Sequence, residues 1–354
     1  MLKRFFNSMV IAGFAAMLAS SSYAADVSIS GTVEAELHSY TSNFTDDTQG
    51  VDVNETGASE DTYSHMTTDL YEAEMKFKTK GETPNGWKTY AEIEFELGQG
   101  GKNDFELEEA SANVEFGAIK LSAGILEDWS QYTGEVYRFT LNEKDTKFDD
   151  ETGAIRFAFV GSDAFYGDVK LRMYQDEADA SGDTFDTAAT EMRIQAEFKG
   201  DWGSVSAIYA TLTGKGVDSD AAGDYDLNET AMNVTALIEL GVVSPFVSYT
   251  SRSDNSTSWD NTETEDTLTE MMLGINLEMG ENMELTANYM QTTLDFGGDD
   301  NFEKSALGAA FRYSAKPVKF ELGYTSASNN ASTVNDLYED ATYGGFIAAL
   351  IYKF

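Results

Sequence analysis

Two short stretches carry charge at a regular spacing. "EAEMKFKTK" (72–80) sets Glu74, Lys76, Lys78 and Lys80 two residues apart, and "EIEFEL" (92–97) does the same with Glu92, Glu94 and Glu96. A spacing of two puts side chains on one face of a strand. Rows of charge on a strand face break no bonds; they bias the local concentration of ions. Other chemistry is thinly represented. His38 and His65 have no neighbour at metal-ligand spacing, and the chain has no cysteine. No glycine-rich loop follows a strand into a helix. A serine hydrolase working at a membrane edge has only His38, at the upper end of the first strand, as its base. Acidic clusters such as "FDDETG" and "DFGGDD" offer oxygen ligands for calcium, yet lack the spacing of a defined site. The residues predict neither an enzyme nor a cofactor or resident metal.

The elements that hold these rows are strands. In 71–78, Tyr71, Ala73, Met75 and Phe77 alternate with Glu72, Glu74, Lys76 and Lys78; after "GETPNG", Trp87, Ala91, Ile93, Phe95 and Leu97 alternate with Lys88, Tyr90 and the three glutamates. The same period runs on through Val27/Ile29/Val33/Leu37, Ala110/Ala112/Val114/Phe116, Ile119/Leu121/Ala123/Ile125, Ile155/Phe157/Phe159 and Val169/Leu171/Met173. It ends with Phe346, Ala348, Leu350, Tyr352 and Phe354. About sixteen such strands are predicted. The stretch 105–116 is out of phase at Phe105 and Leu107, which predicts a bulge or a later strand start.

Tight and long connections take turns. The tight ones include "GETPNG", residues 117–118, 161–164, 200–202, 280–282 and 314–317. The long polar ones are 39–67, 99–104, 126–153, 176–189, 214–229, 253–266, 294–302 and 328–341. This is the rhythm of an up-and-down meander. A soluble sandwich also alternates, but so many consecutive hairpins would leave long open edges. In hydrocarbon every backbone polar group must pair internally, so a sheet crosses only when closed, with apolar residues outward. The predicted fold is therefore all-β, a transmembrane antiparallel up-and-down β-barrel of about 16 strands, occupying residues 25–354. Tyr249, Tyr289, Tyr313, Tyr324 and Trp87 are placed to sit at the bilayer interface.

Composition agrees. The first 24 residues have Lys3 and Arg4, an apolar middle too short to span a bilayer, and Ser22-Tyr23-Ala24, the pattern of a secretory signal peptide (1–24). A formal net charge of −39 argues against nucleic acid and favours cations. At 42% hydrophobic and 12% aromatic the chain is too rich for disorder, while no later run is long enough for a helical span.

The signal peptide, "DVSISGTVEAEL", "FKTKGET", "FGAIKLSAG" and the terminal "YKF" together resemble the general, non-specific porins of Gram-negative outer membranes, sixteen-stranded trimeric diffusion channels. The resemblance implies a homotrimer in the outer membrane, in contact with lipid and lipopolysaccharide, with calcium able to bridge acidic loops to the latter. It implies a water-filled pore for ions and small hydrophilic solutes, narrowed by a third loop at about 126–153 that carries Glu127, Asp128, Glu135, Glu143 and Asp145. Opposite that loop the family places basic side chains; Lys76 and Arg156 align with two of them, and Lys78, Lys170 and Arg172 share their inward parity. Thr32 and Ala123 stand where the family often has further bases, and the proline-glutamate-phenylalanine-glycine stretch of that loop is absent. The terminal Phe354 and Tyr352 are similar to the signal read during barrel assembly. The excess of loop acids predicts a cation preference. A substrate-specific channel for sugar or phosphate, and a non-conducting binding or adhesion barrel, are the alternatives.

Overall fold

The computed structural model describes residues 26–44, 61–97, 105–126, 153–175, 185–218, 223–255, 266–295, 301–331 and 342–354. The segment 1–24, expected as a signal peptide, and nearly all of 126–153, expected as a constriction loop, lie outside them. Sixteen strands follow one another: β1 (Asp26–Phe44), β2 (Asp61–Glu82), β3 (Lys88–Leu97), β4 (Phe105–Phe116), β5 (Ile119–Ile125), β6 (Ala154–Phe159), β7 (Phe165–Gln175) and β8 (Phe185–Gly200). After them come β9 (Gly203–Asp218), β10 (Gly223–Ile238), β11 (Val243–Asp254), β12 (Asp266–Glu278), β13 (Met283–Asp295), β14 (Asn301–Ala315), β15 (Val318–Ala331) and β16 (Thr342–Lys353). Each pairs antiparallel with its neighbours in sequence, and β1 pairs with β16 to close the barrel. Closure leaves no sheet edge, as a membrane requires. No described helix is long and apolar enough to cross a membrane; this chain crosses with strands.

The alternation decides which face meets lipid. Phe157 and Met173 are 51% and 62% exposed, whereas Arg172, one residue from Met173, is 0% exposed. That inverts the soluble rule, in which the polar face is the outer one, and it excludes the sandwich. Outward aromatics form two belts. On the side of the tight turns, Trp87 packs on Phe116 at 5.8 Å and Phe165 on Phe198 at 4.8 Å; on the loop side, Tyr324 packs on Phe346 at 4.9 Å. Along β16 the belts, at Phe346 and at Phe354, are eight residues apart, roughly 20 Å along the normal for a tilted strand, about the apolar height of such barrels.

Tight turns sit where the spacing predicts. Gly86, Gly117 and Gly241 hold φ of +79°, +65° and +73°, a region that L side chains avoid. The irregularity in 105–116 is a bulge: Glu94 pairs with Glu109 and Phe95 with Leu107, so Glu108 is the extra residue. A second bulge lies opposite Glu34/Ala35, where Tyr71 is skipped between Glu72 and Leu70. The structure also corrects the strand ends. The first long connection narrows from 39–67 to 45–60, and the β9–β10 ladder runs to Asp218 and Gly223, far into the stretch expected as loop. The apolar alternation stops where the strands leave hydrocarbon; the hydrogen-bonded ladder has no reason to stop there.

Candidate functional site

Among the described residues, the predicted charge rows come together on the inner wall. Because the turn after Glu82 pairs it with Lys88, counting back along both strands puts Lys78 opposite Glu92 and Lys76 opposite Glu94. The side chains follow: Lys76 Nζ lies 2.5 Å from Glu94 and 3.6 Å from Glu92, and Lys78 Nζ 2.7 Å from Glu92. The predicted basic wall is thus interleaved with acid on this side, and its electrostatics are those of fixed ion pairs.

The second basic group is denser. Arg156, Lys170 and Arg193 stand directly opposite one another on β6, β7 and β8. Like charges in that relation repel. Carboxylates in adjacent rows offset this: Glu191 is 4.0 Å from Lys170 and 3.4 Å from Arg172, and Asp168 is 3.7 Å from Arg156. Tyr166 donates to Asp168 at 2.6 Å and holds that carboxylate in place. Lys170, Arg172, Glu191 and Arg193 are all buried. Nearer the turn rim, Lys78 and Lys120 both stand over the ring of Tyr90, at 5.5 and 4.9 Å.

The wall of β10 to β15 differs. Here Asn233 donates to Thr250 at 2.7 Å and to Ser248 at 3.2 Å, and Thr235 shares a 2.8 Å bond with Ser248. Arg312 bridges Glu284 at 3.0 Å and Glu321 at 3.3 Å. Between these polar groups lies an apolar cluster of Leu237, Phe246, Met272, Met290, Ala306 and Ala327. Its members share inward parity with Ser248 and Asn276, so the inner face is not uniformly polar as the alternation implied. No group of three or more potential metal ligands occurs among the described residues.

Of the residues singled out in the sequence, Lys76, Lys78, Arg156, Lys170 and Arg172 all line this wall, in two groups, while Ala123 lies in an outward row between Ala112 and Ile155. Glu127, Asp128, Glu135, Glu143 and Asp145 lie outside the described residues. Phe354 and Tyr352 face outward, their rings 6.3 Å apart. Asp168, Glu191, Arg193, Arg312 and Glu321 were not singled out; inward parity marks them, but only cross-strand register shows their pairings.

A closed sixteen-stranded sheet with an apolar exterior and a charged interior is a transmembrane barrel of the channel-sized class. Solved structures with this fold include OmpT, an outer membrane protein of Vibrio cholerae (TM-score 0.63, 11% identity, 95% of this chain and 99% of that one). The outer membrane channel DcaP of Acinetobacter baumannii is similar at TM-score 0.64 and 14% identity, over 94% and 99% of the two chains. An anion-selective porin from Comamonas acidovorans is similar at 0.61 and 12%, over 94% and 100%. No family model matches the sequence, and no curated protein is significantly similar to it.

Proposed function

We propose that this chain forms a water-filled channel in a Gram-negative outer membrane, through which ions and small hydrophilic solutes diffuse passively, with cations preferred. The observation that carries the reading is a closed barrel of sixteen strands whose inner wall is lined with fixed charge from β2 to β15. A barrel this wide leaves an aqueous lumen where an eight-stranded one fills with side chains. The fold also serves an anion-selective porin, so preference rests on charge placement. At the loop rim Asp61, Asp218, Asp224, Asp226, Asp254, Asp266 and Asp295 stand on strand ends, and the connection 45–60 adds Asp46, Asp47, Asp52, Glu55 and Glu60 with no base. Cations are concentrated at such a mouth.

In this reading the N-terminal segment directs export, the protein acts without enzymatic activity, and it assembles as a homotrimer among lipid and lipopolysaccharide, with calcium bridging loop acids to the latter. OmpT of Vibrio cholerae has a trimer form with the same fold. Loop 126–153 narrows the pore with Glu127, Asp128, Glu135, Glu143 and Asp145 against Lys76 and Arg156, and Phe354 with Tyr352 forms the assembly signal. Purified protein in planar bilayers tests the reading. Ohmic steps whose reversal potential in a potassium chloride gradient lies toward the potassium limit are expected; chloride preference overturns the ion selectivity, and absence of conductance overturns the channel.

A further inference from the structure

The charge of this barrel is sorted by height as well as by side. Tight turns join the strands at one end and long connections at the other. Of the long connections, 45–60, 176–184, 219–222, 255–265, 296–300 and 332–341 contain acids and neither lysine nor arginine. The strand ends beneath them continue the bias. At the loop ends of β9 to β14, Lys215, Arg252 and Lys304 stand against Asp218, Asp224, Asp226, Asp254, Asp266 and Asp295.

The turn ends are composed differently. Lys88 holds Glu115 at 2.8 Å, Lys199 holds Glu197 at 2.9 Å, Arg312 holds Glu284 at 3.0 Å and Lys319 holds Glu321 at 2.6 Å. Lys80 stands opposite Asp26, and Lys316 and Lys353 balance Glu278 and Glu281 in number. The excess behind the formal net charge of −39 therefore sits toward the loop end.

The two ends are far enough apart to act separately. β9 and β10 have 16 residues each, a rise of about 40 Å for strands tilted by about 40°. Fixed charge is screened over ~10 Å at 0.1 M salt, so neither end senses the other. Across the pore the comparison reverses. Strands ~4.8 Å apart, closed into this barrel, leave a lumen radius of about 10 Å once side chains are subtracted, so wall charge governs the ions inside.

We propose that this axial sorting of charge makes the channel a rectifier, which carries more current when cations are driven from the loop end to the turn end than in reverse. Resting on the channel reading, the effect follows from how ions share the current. In the acidic half cations carry most of it, whereas in the near-neutral half both ions do. Cations leaving the acidic half are met at the boundary by anions that are repelled from going further, so salt accumulates there and conductance rises. With the field reversed both ions are drawn away from the boundary, and conductance falls.

Single-channel currents at +100 and −100 mV, in 0.1 M and in 1 M potassium chloride, test this. A current ratio of roughly two is expected at 0.1 M, falling to about one at 1 M, where screening shortens to ~3 Å. Polylysine, too large to pass, marks the loop end by interrupting the current from that side alone. Acidifying the loop-end bath to pH 3, below the usual carboxylate pKa of ~4, should abolish the ratio, while acidifying the other bath should leave it. Symmetric currents at 0.1 M, a ratio that survives 1 M salt or loop-end acid, equal block by polylysine from both sides, or larger current in the opposite direction overturn the rectifier and leave the channel standing. Absence of any current overturns both.

Discussion

Phe354 is tied to Gly31 by both main-chain hydrogen bonds, N–H to O at 3.0 and 3.1 Å, and its ring lies where a side chain on residue 31 would project. A Cβ built on Gly31 would come within 2.6 Å of that ring. The closing seam of the barrel thus depends on an absent side chain at one end of the chain and an aromatic one at the other.

Gly31→Val, whose Cβ would press on the Phe354 ring and on the Glu74 carbonyl oxygen across β1–β2, is therefore expected to weaken closure by about 1–3 kcal/mol, the usual cost of overpacking. Deleting Phe354 should lower the yield of assembled protein in outer membranes. Unheated gel mobility of detergent extracts reads both: a smaller fraction of compact, fast-migrating barrel is expected, and wild-type amounts for both variants would refute the seam.

In the proposed channel, the pairs of Lys76 and Lys78 with Glu92 and Glu94 would set the field on one side of the lumen. Glu92→Gln with Glu94→Gln leaves both lysines without these carboxylates and should move the potassium-to-chloride permeability ratio toward chloride, on the order of twofold. The reversal potential measures it; an unchanged ratio would show that permeating ions pass elsewhere.

Glu191 sits buried between Lys170 and Arg172. Replacing it by leucine strands buried cations and is expected to cost about 3–5 kcal/mol, whereas Arg172→Met combined with Glu191→Leu should cost clearly less. The temperature at which the folded band is lost on gels, compared across the single and double variants, reveals that difference.

Asp266, at the loop end of β12 and beyond the aromatic belt, has its pKa raised by burial first and then by Asp254 and Asp295. A carboxyl raised in the folded state binds its proton more tightly there than when unfolded. Its contribution therefore favours folding once protonated, and is lost as pH rises through the folded pKa. Asp266→Asn should accordingly stabilise slightly at pH 7, with the gain vanishing near pH 3; this residue is only partly buried, so solvent screening keeps the effect small. Thermal melts at the two pH values decide it.

Much of the architecture is legible in the residues because lipid imposes one rule on every strand. The outward parity is as plain in β16 as in β5 or β8, and the out-of-phase Leu107 announces its bulge. What the pattern cannot carry is height and row. Strand ends above the hydrocarbon, such as 39–44 and 214–218, lose apolar alternation while keeping their ladder, so they read as loop. Parity also tells that Lys170 and Arg193 face inward but not that they stand side by side, since that depends on the register set across the long connection between β7 and β8. Where the connection is a tight turn, as after Glu82, the pairing of Lys76 with Glu94 follows by counting from the turn.

The pairing of β1 with β16 brings Thr41 beside Gly344, some three hundred residues away along the chain. A ladder that joins the first strand to the last is the costliest kind of loop to close. No shorter piece of this protein can satisfy its own edges, so folding has no early stopping point: the N-terminal strand waits for the last residues to be synthesised.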